Sequence, residues 1–363
     1  DYGIGYDWWW GKETSDIGSN RILRDAGIAF VKKWPHGGGA QTINRASGQV
    51  TDDEVLAVLA NPESYTALEK ERAGEVFNGL NDAVGDDDTL QARLDVEFWD
   101  RIGSLNPTPA TPISNSLDRA LLNREAEILR NLPANEVTAH RTAEDVYGAI
   151  PGSAPRISKT VVLDATRSRW HATGLYAVPG ELVTVTVPAS MVGLGYKIRI
   201  NSHTDTVSRT TLERLPYVHR AYSIDATSTQ VACAFGGPIF IDFGGSAWSG
   251  APSLGNVNIG ISNAIEHPYF DLDQHTDLDW INGLRDKPGP YAVFVSENMM
   301  FCQRSSESAS LTTPTALMTW WNQVVLDQDW IGGRVKTRAS SEFTNVDVQN
   351  SAGAAHAGYP VQA

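Results

Sequence analysis

Residues Trp170 to Pro188 read WHATGLYAVPGELVTVTVP. The dipeptide Pro179-Gly180 is a turn signal, and beyond it Val183, Val185 and Val187 alternate with Thr184 and Thr186. Alternation with a period of two puts the valines on one face and the threonines on the other, which is the pattern of a half-buried β-strand. The chain changes character around this stretch. Upstream the pattern is mostly helical, and downstream it is mostly strands and loops.

Working downstream, short strands separated by turn signals are expected at Thr160–Asp164, Leu182–Val187, Lys197–Ile200, Ala221–Ile224, Val231–Ala234, Ile239–Asp242 and Val257–Ile261. Strands at this spacing predict an antiparallel sandwich of jelly-roll type. The order changes near Pro268. Tyr291–Ser296 (YAVFVS) reads as a buried strand, and Thr313 with Pro314 opens a helix through Leu317, Trp320, Trp321, Val324 and Val325. One more strand is expected in the tail after Phe343.

Working upstream, Asn20 to Phe30 reads as a helix that ends at Gly27, and Thr51 with Glu54 forms a capping box for a further helix. Helices are also expected at Glu63–Leu80, Thr89–Ile102 and Leu117–Leu132. Residues 104–116, SLNPTPATPISNS, carry three prolines and no charge, so they read as a linker or long loop. Asp86 to Asp88 lack the alternating oxygens and later glutamate of a calcium loop, and read as a solvated helix cap. Gly37 to Gly39 lack the lysine of a phosphate loop.

The chain has 363 residues and a formal net charge of −14, which argues against nucleic acid or an anionic membrane as partner. No apolar run is long enough to span a membrane. Cys233 and Cys302 fit either one disulfide or two buried thiols, and spacing does not decide. Eleven tryptophans are unusually many. They fit large core residues, or platforms on which sugar rings stack; Trp170 and Trp248 are the candidates for stacking.

No histidine is followed by Glu-x-x-His, and the inverted form fails because Asn263 precedes Glu266-His267 where a histidine is needed. A zinc-peptidase site is therefore not readable in the chain. His203-Thr204-Asp205 and His275-Thr276-Asp277 could pair as metal ligands, but turns in which aspartate accepts backbone N–H groups are the simpler reading. There is no Gly-x-Ser-x-Gly elbow, and no pair of carboxylates stands out for glycoside hydrolysis.

Five segments in order, WHATGLYAVPGELVTVTVP, YKIRINSHTD (196–205), AFGGPIFID (234–242), SNAIEHPYFDLD (262–273) and AHAGYPV (355–361), resemble the enhancin-like, mucin-degrading metallopeptidases (peptidase family M-sixty). The N-terminal part resembles accessory-colonization-factor-type secreted mucinases. The resemblance implies an α+β, multidomain fold with a helical N-terminal region, an antiparallel jelly-roll-like β-sandwich, and the start of an α/β metallopeptidase lobe. It divides the chain into the tail of an amidotransferase-like domain (1–45), a helical region (46–154), the sandwich (155–265) and a truncated peptidase lobe (266–363). It implies a secreted or cell-surface bacterial zinc enzyme that cleaves the backbone of mucin-like O-glycosylated proteins. The family's His-Glu-x-x-His lies beyond the His-Ala-Gly-Tyr-Pro segment, where this chain stops at Ala363. The expectation is a non-catalytic fragment that binds no zinc and associates with a C-terminal peptidase segment. His356 and Tyr359 are its candidates for lining the substrate cleft. The alternative is a carbohydrate-binding or adhesion module without peptidase activity.

Overall fold

The valine–threonine alternation becomes strand β3 (Val183–Thr186) in the computed structural model, which describes residues 52–83, 89–248, 254–334 and 338–363. Val183 and Val185 are fully buried while Thr186 is exposed. Ahead of β3, Glu181 donates its N–H to the Val178 carbonyl at 3.0 Å, closing a turn around Pro179-Gly180. Gly180 has φ +71°, and a Cβ there would lie 2.1 Å from the Ala139 nitrogen. Only glycine serves this turn. The expected helix 20–30, the Thr51 cap, the glycine cluster 37–39, the acidic turn 86–88 and the domain 1–45 lie outside the described residues.

The described residues fall into two compact units, those up to 127 with 209–215, and those of 128–208 with 216–363. In the first unit, α1 (Asp52–Ala60), α2 (Ala67–Ala83), α3 (Thr89–Ile102) and most of α4 (Ser116–Asn131) bury Val55, Leu59, Phe77, Leu94, Phe98 and Leu121. Asn115 caps α4 by accepting from the Leu117 and Asp118 N–H groups at 2.9 and 3.2 Å.

The second unit contains the short helix α5 (Ala143–Tyr147) and then β1 (Ile157–Asp164), β2 (Trp170–Ala177), β3, β4 (Lys197–Ile200), β5 (Arg220–Ser223), β6 (Ser228–Val231), β7 (Gly237–Asp242) and β8 (Asn256–Glu266). These eight strands pair antiparallel in the order β5-β4-β7-β2-β8-β3-β6, with β1 on β8. The long strand β8 is the switch. Residues 256–264 pair with β1, 260–262 with β3, and Ile265–Glu266 with β2. The sandwich core is aliphatic and aromatic, with Ile198, Ile200, Ile239, Phe240, Ile241, Ile259 and Ile261 essentially inaccessible. Each such side chain contributes about 1.5–3 kcal/mol by leaving water.

A five-stranded mixed sheet follows, ordered β13-β12-β11-β10-β9, from β9 (Tyr269–Asp271), β10 (Tyr291–Val295), β11 (Met299–Arg304), β12 (Glu342–Asn345) and β13 (Val361–Gln362). β10 and β11 are antiparallel and the other pairs are parallel. Helix α6 (Pro314–Ile331) packs on this sheet through Met318 and Val325, against Phe270, Trp280, Phe294 and Met299. Its other face leaves Trp320, Trp330 and Ile331 exposed. The fold is α+β and multidomain, as expected. Cys233 and Cys302 are separate buried thiols, which burial pushes up to about 11 and about 12. This settles the question that spacing left open.

Candidate functional site

A cleft of about 780 Å³ opens beside β1 and β2 and is walled on its other side by β9, the following loop and β10–β11. β1 contributes Lys159 through Asp164, and β2 contributes Trp170 through Gly174. The floor carries Tyr269, whose ring lies against strand β2. This approach needs Gly174 at φ +72°, because a Cβ there would sit 3.1 Å from the Tyr269 ring.

The charges of the cleft are arranged in local groups. Lys287 donates to Glu266 at 2.5 Å, and Lys159 lies 3.7 Å from the same carboxylate. Burial works to raise the Glu266 carboxyl, but the Lys287 hydrogen bond and the two ammonium charges prevail and hold it below its ordinary value. Asp271 shows the opposite outcome. Burial raises its carboxyl, although it accepts from the Asp273 N–H at 3.0 Å and the Gln274 amide at 2.6 Å, and Tyr269 Oη donates to it at 3.3 Å. His275 Nδ1 accepts from the Asp271 N–H at 3.1 Å. Burial lowers His171 and His267 to about 4, so both are neutral at physiological pH. His267 then donates from Nδ1 to the Tyr291 carbonyl at 2.9 Å.

Of Trp170, Trp248, His356 and Tyr359, Trp170 alone lines this cleft. Trp170 is buried beneath Arg199, whose guanidinium stands 4.5 Å from its ring, and it packs on Phe240, Phe343 and Tyr359. It touches the cleft but has no open ring face. Trp248 is covered by Arg338 and Arg334 at 4.8 and 5.3 Å. The ring of Trp170 is thus taken up by a cation and aromatic neighbours, while Trp248 is half-buried with two arginines over its ring. Tyr359 lies under Arg169 at 4.1 Å and donates to the Ser341 carbonyl at 3.2 Å. His356 binds Asp205. Neither lines this cleft.

Ser351, His356 and Asp205 have the composition of a serine triad without its geometry. Asp205 Oδ2 and Ser351 Oγ both meet Nε2 of His356, at 2.8 and 3.4 Å, while Nδ1 faces the Ala357 carbonyl at 3.1 Å. A triad needs base and orienting carboxylate on opposite ring nitrogens. The first His-Thr-Asp segment is irregular chain, and the second leads into a short helix at Asp277. Asn201 Oδ1 and the Val346 carbonyl meet the ring nitrogens of His203, and Thr276 with Asp279 makes a capping box. Asp277 accepts the Thr315 N–H at 2.8 Å. Among the described residues no group of three or more His, Cys, Asp or Glu side chains could hold a metal ion. The cleft as a whole was not legible in the sequence, since its walls come from segments more than a hundred residues apart; the WHATGLYAVPGELVTVTVP and SNAIEHPYFDLD segments both pointed into it.

Residues 152–254 match the N-terminal domain of M60-like peptidases, and residues 263–363 match Peptidase M60, enhancin and enhancin-like. The chain is 26% identical to a TRPM8 channel-associated factor homolog of Xenopus laevis over 98% of its own length and 40% of that protein. It is 28% identical to TRPM8 channel-associated factor 1 of Bos taurus over 54% of its length and 21% of that protein. The chain therefore spans less than half of these curated relatives. Among solved structures, the IMPa metallopeptidase in complex with T-antigen superposes with a TM-score of 0.50 at 14% identity, over 94% of this chain and 42% of that one. At that identity the likeness speaks for the fold alone.

Proposed function

Because the chain belongs to the enhancin-like M60 peptidases, a mucin-degrading peptidase family, we propose that its second unit is a substrate-holding portion of an extracellular enzyme acting on O-glycosylated, mucin-like proteins. One observation carries this reading. The polar cleft is lined by residues of both matched ranges, with Lys159–Gly174 from the first and Glu266–Ser341 from the second. A cleft built jointly by both matched segments is where a family substrate would lie.

The family's members are zinc enzymes, and the donors here do not fit that ion. The sequence has no His-Glu-x-x-His. His267 is buried and bonded to the Tyr291 carbonyl, and Glu266 beside it is held by Lys287. No hydrolytic step is therefore assigned to these residues, and the role proposed for them is binding. No helix among the described residues is long and apolar enough to cross a membrane.

A second reading follows from the names of the relatives. The same architecture would act as a binding module, without hydrolysis, on a glycan or on a partner protein such as a channel. Calorimetric titration with a T-antigen-bearing glycopeptide and with its unglycosylated counterpart separates recognition of a glycosylated chain from recognition of a partner through bare polypeptide. Sugar-dependent binding supports the substrate-holding reading. Loss of that binding in Asp271→Asn would place it in this cleft, and no binding of the glycopeptide would overturn it.

A further inference from the structure

The cleft runs along the edge of a strand. Side chains of a β-strand alternate between faces, so a groove on one face meets every second residue. Here six consecutive residues of β1, Lys159 to Asp164, line it. A groove that follows the strand's edge, along which backbone N–H and C=O groups project, meets consecutive residues in this way. β1 pairs with β8 on its other edge and with no further strand among the described residues.

β2 adds consecutive residues to the same side of the cleft. Trp170 to Gly174 line it; one edge of β2 pairs with β7 at Trp170–Ala172, and β2 meets β8 only at Leu175 and Tyr176. β1 and β2 are joined by residues 165–169 alone, yet they splay apart instead of pairing as a hairpin. The gap presents an unpartnered edge to whatever enters. Val162, exposed by 59% on this edge strand, adds an apolar contact.

Charge selects the occupant. The lining holds five carboxylates, Asp164, Glu266, Asp271, Asp273 and Glu297, against Lys159, Arg167 and Lys287. The two lysines are engaged by Glu266, and Arg167 lies 3.4 Å from Glu297. The excess is negative.

We propose that this cleft takes an extended peptide as an added strand on β1, the peptide carrying basic side chains and no acidic ones. This deepens the substrate-holding reading and rests on it, by assigning the contact to the peptide backbone as well as to any sugar. Strand addition uses main-chain hydrogen bonds for affinity, and alternate residues for selection.

The test uses the full chain and a fluorescein-labelled peptide of about ten residues alternating threonine and lysine, followed by fluorescence anisotropy. Saturable binding is expected. N-methylation of one alternating set of peptide amides should weaken it at least about tenfold, while methylation of the complementary set leaves it unchanged, because only every second residue faces a neighbouring strand. Replacing the lysines with glutamates should also abolish binding. The proposal is overturned if the parent peptide does not bind, if both methylated sets bind as the parent does, or if the glutamate peptide binds equally. A glycopeptide that binds through its sugar while the bare peptide does not would overturn the added strand and leave the glycoprotein reading standing.

Discussion

Asp205→Asn, read across pH, isolates the clasp between His356 and Asp205. Both ring nitrogens of His356 face acceptors, Asp205 Oδ2 at 2.8 Å and the Ala357 carbonyl at 3.1 Å, so the ring is best satisfied with two protons. The Asp205 hydrogen bond is the main cause that raises His356 above its ordinary value. Burial works to raise Asp205, but its bonds from His356 and Ser351 outweigh this and lower it. A raised histidine contributes stability that is complete below its unfolded value near 6.5 and is lost as pH rises through the folded one. A lowered aspartate contributes stability that is present above its unfolded value and is lost as pH falls through the folded one. The clasp is therefore strongest between roughly pH 4 and 6.5.

A hydrogen bond between charged groups is worth roughly 1.5–3 kcal/mol. The His356 side chain is 28% exposed and Asp205 9%, so water discounts this to about 1–2 kcal/mol. The reporter is hydrogen exchange at the His356 and Gln362 amides, which bond to each other's carbonyls at 3.0 and 3.4 Å. Corrected for intrinsic rates, their protection should fall about tenfold from about pH 5.5 to about pH 9, since 1.4 kcal/mol is a factor of ten. Asp205→Asn still accepts from Ser351 but lacks the charge, so it should start lower and show no step. Nearby His203 and Asp347, 3.9 Å apart, are unchanged in the variant and serve as its internal control. The same pH step in both proteins, or none in the parent, would refute the reasoning.

Arg338→Met should destabilise by about 3–5 kcal/mol, because it strands the buried Asp329 carboxylate that Arg338 Nη2 meets at 2.8 Å; chemical denaturation measures it, and a loss under about 1 kcal/mol would show that Arg334, at 3.6 Å, suffices. His267 is held neutral down to about 4, so as pH falls below 6.5 the unfolded chain takes the proton first, and stability declines by up to about 3 kcal/mol before levelling off below 4. His267→Asn, which keeps a donor for the Tyr291 carbonyl, should flatten that decline in an acid titration followed by circular dichroism. Trp330→Ser, at a site 79% exposed, should change stability by less than about 0.5 kcal/mol while reducing light scattering in concentrated solution.

Local chemistry made much of the sandwich readable. The alternation at Val183–Thr186 found β3, the expected Lys197–Ile200 coincides with β4, and Pro179-Gly180 found its turn. Other elements shifted. The strand expected at Val231–Ala234 lies at Ser228–Val231, where three consecutive polar residues and Val231 pair with β3, and the one expected at Val257–Ile261 extends through Glu266. β9 and β11 gave no clear signal, since β9 is three residues long and β11 is half buried, without alternation.

Ordered motifs in the sequence by itself determined the family, the α+β class and the absence of a His-Glu-x-x-His segment. Only the tertiary structure decided which side chains are available. It paired Asp205 with His356 across 151 residues, placed Arg199 over Trp170, and splayed β1 from β2 so that a cleft follows their edges. Propensity and alternation act between neighbours along the chain, whereas burial, ion pairing and an unpartnered strand edge depend on what the fold brings to each side chain from far away in sequence.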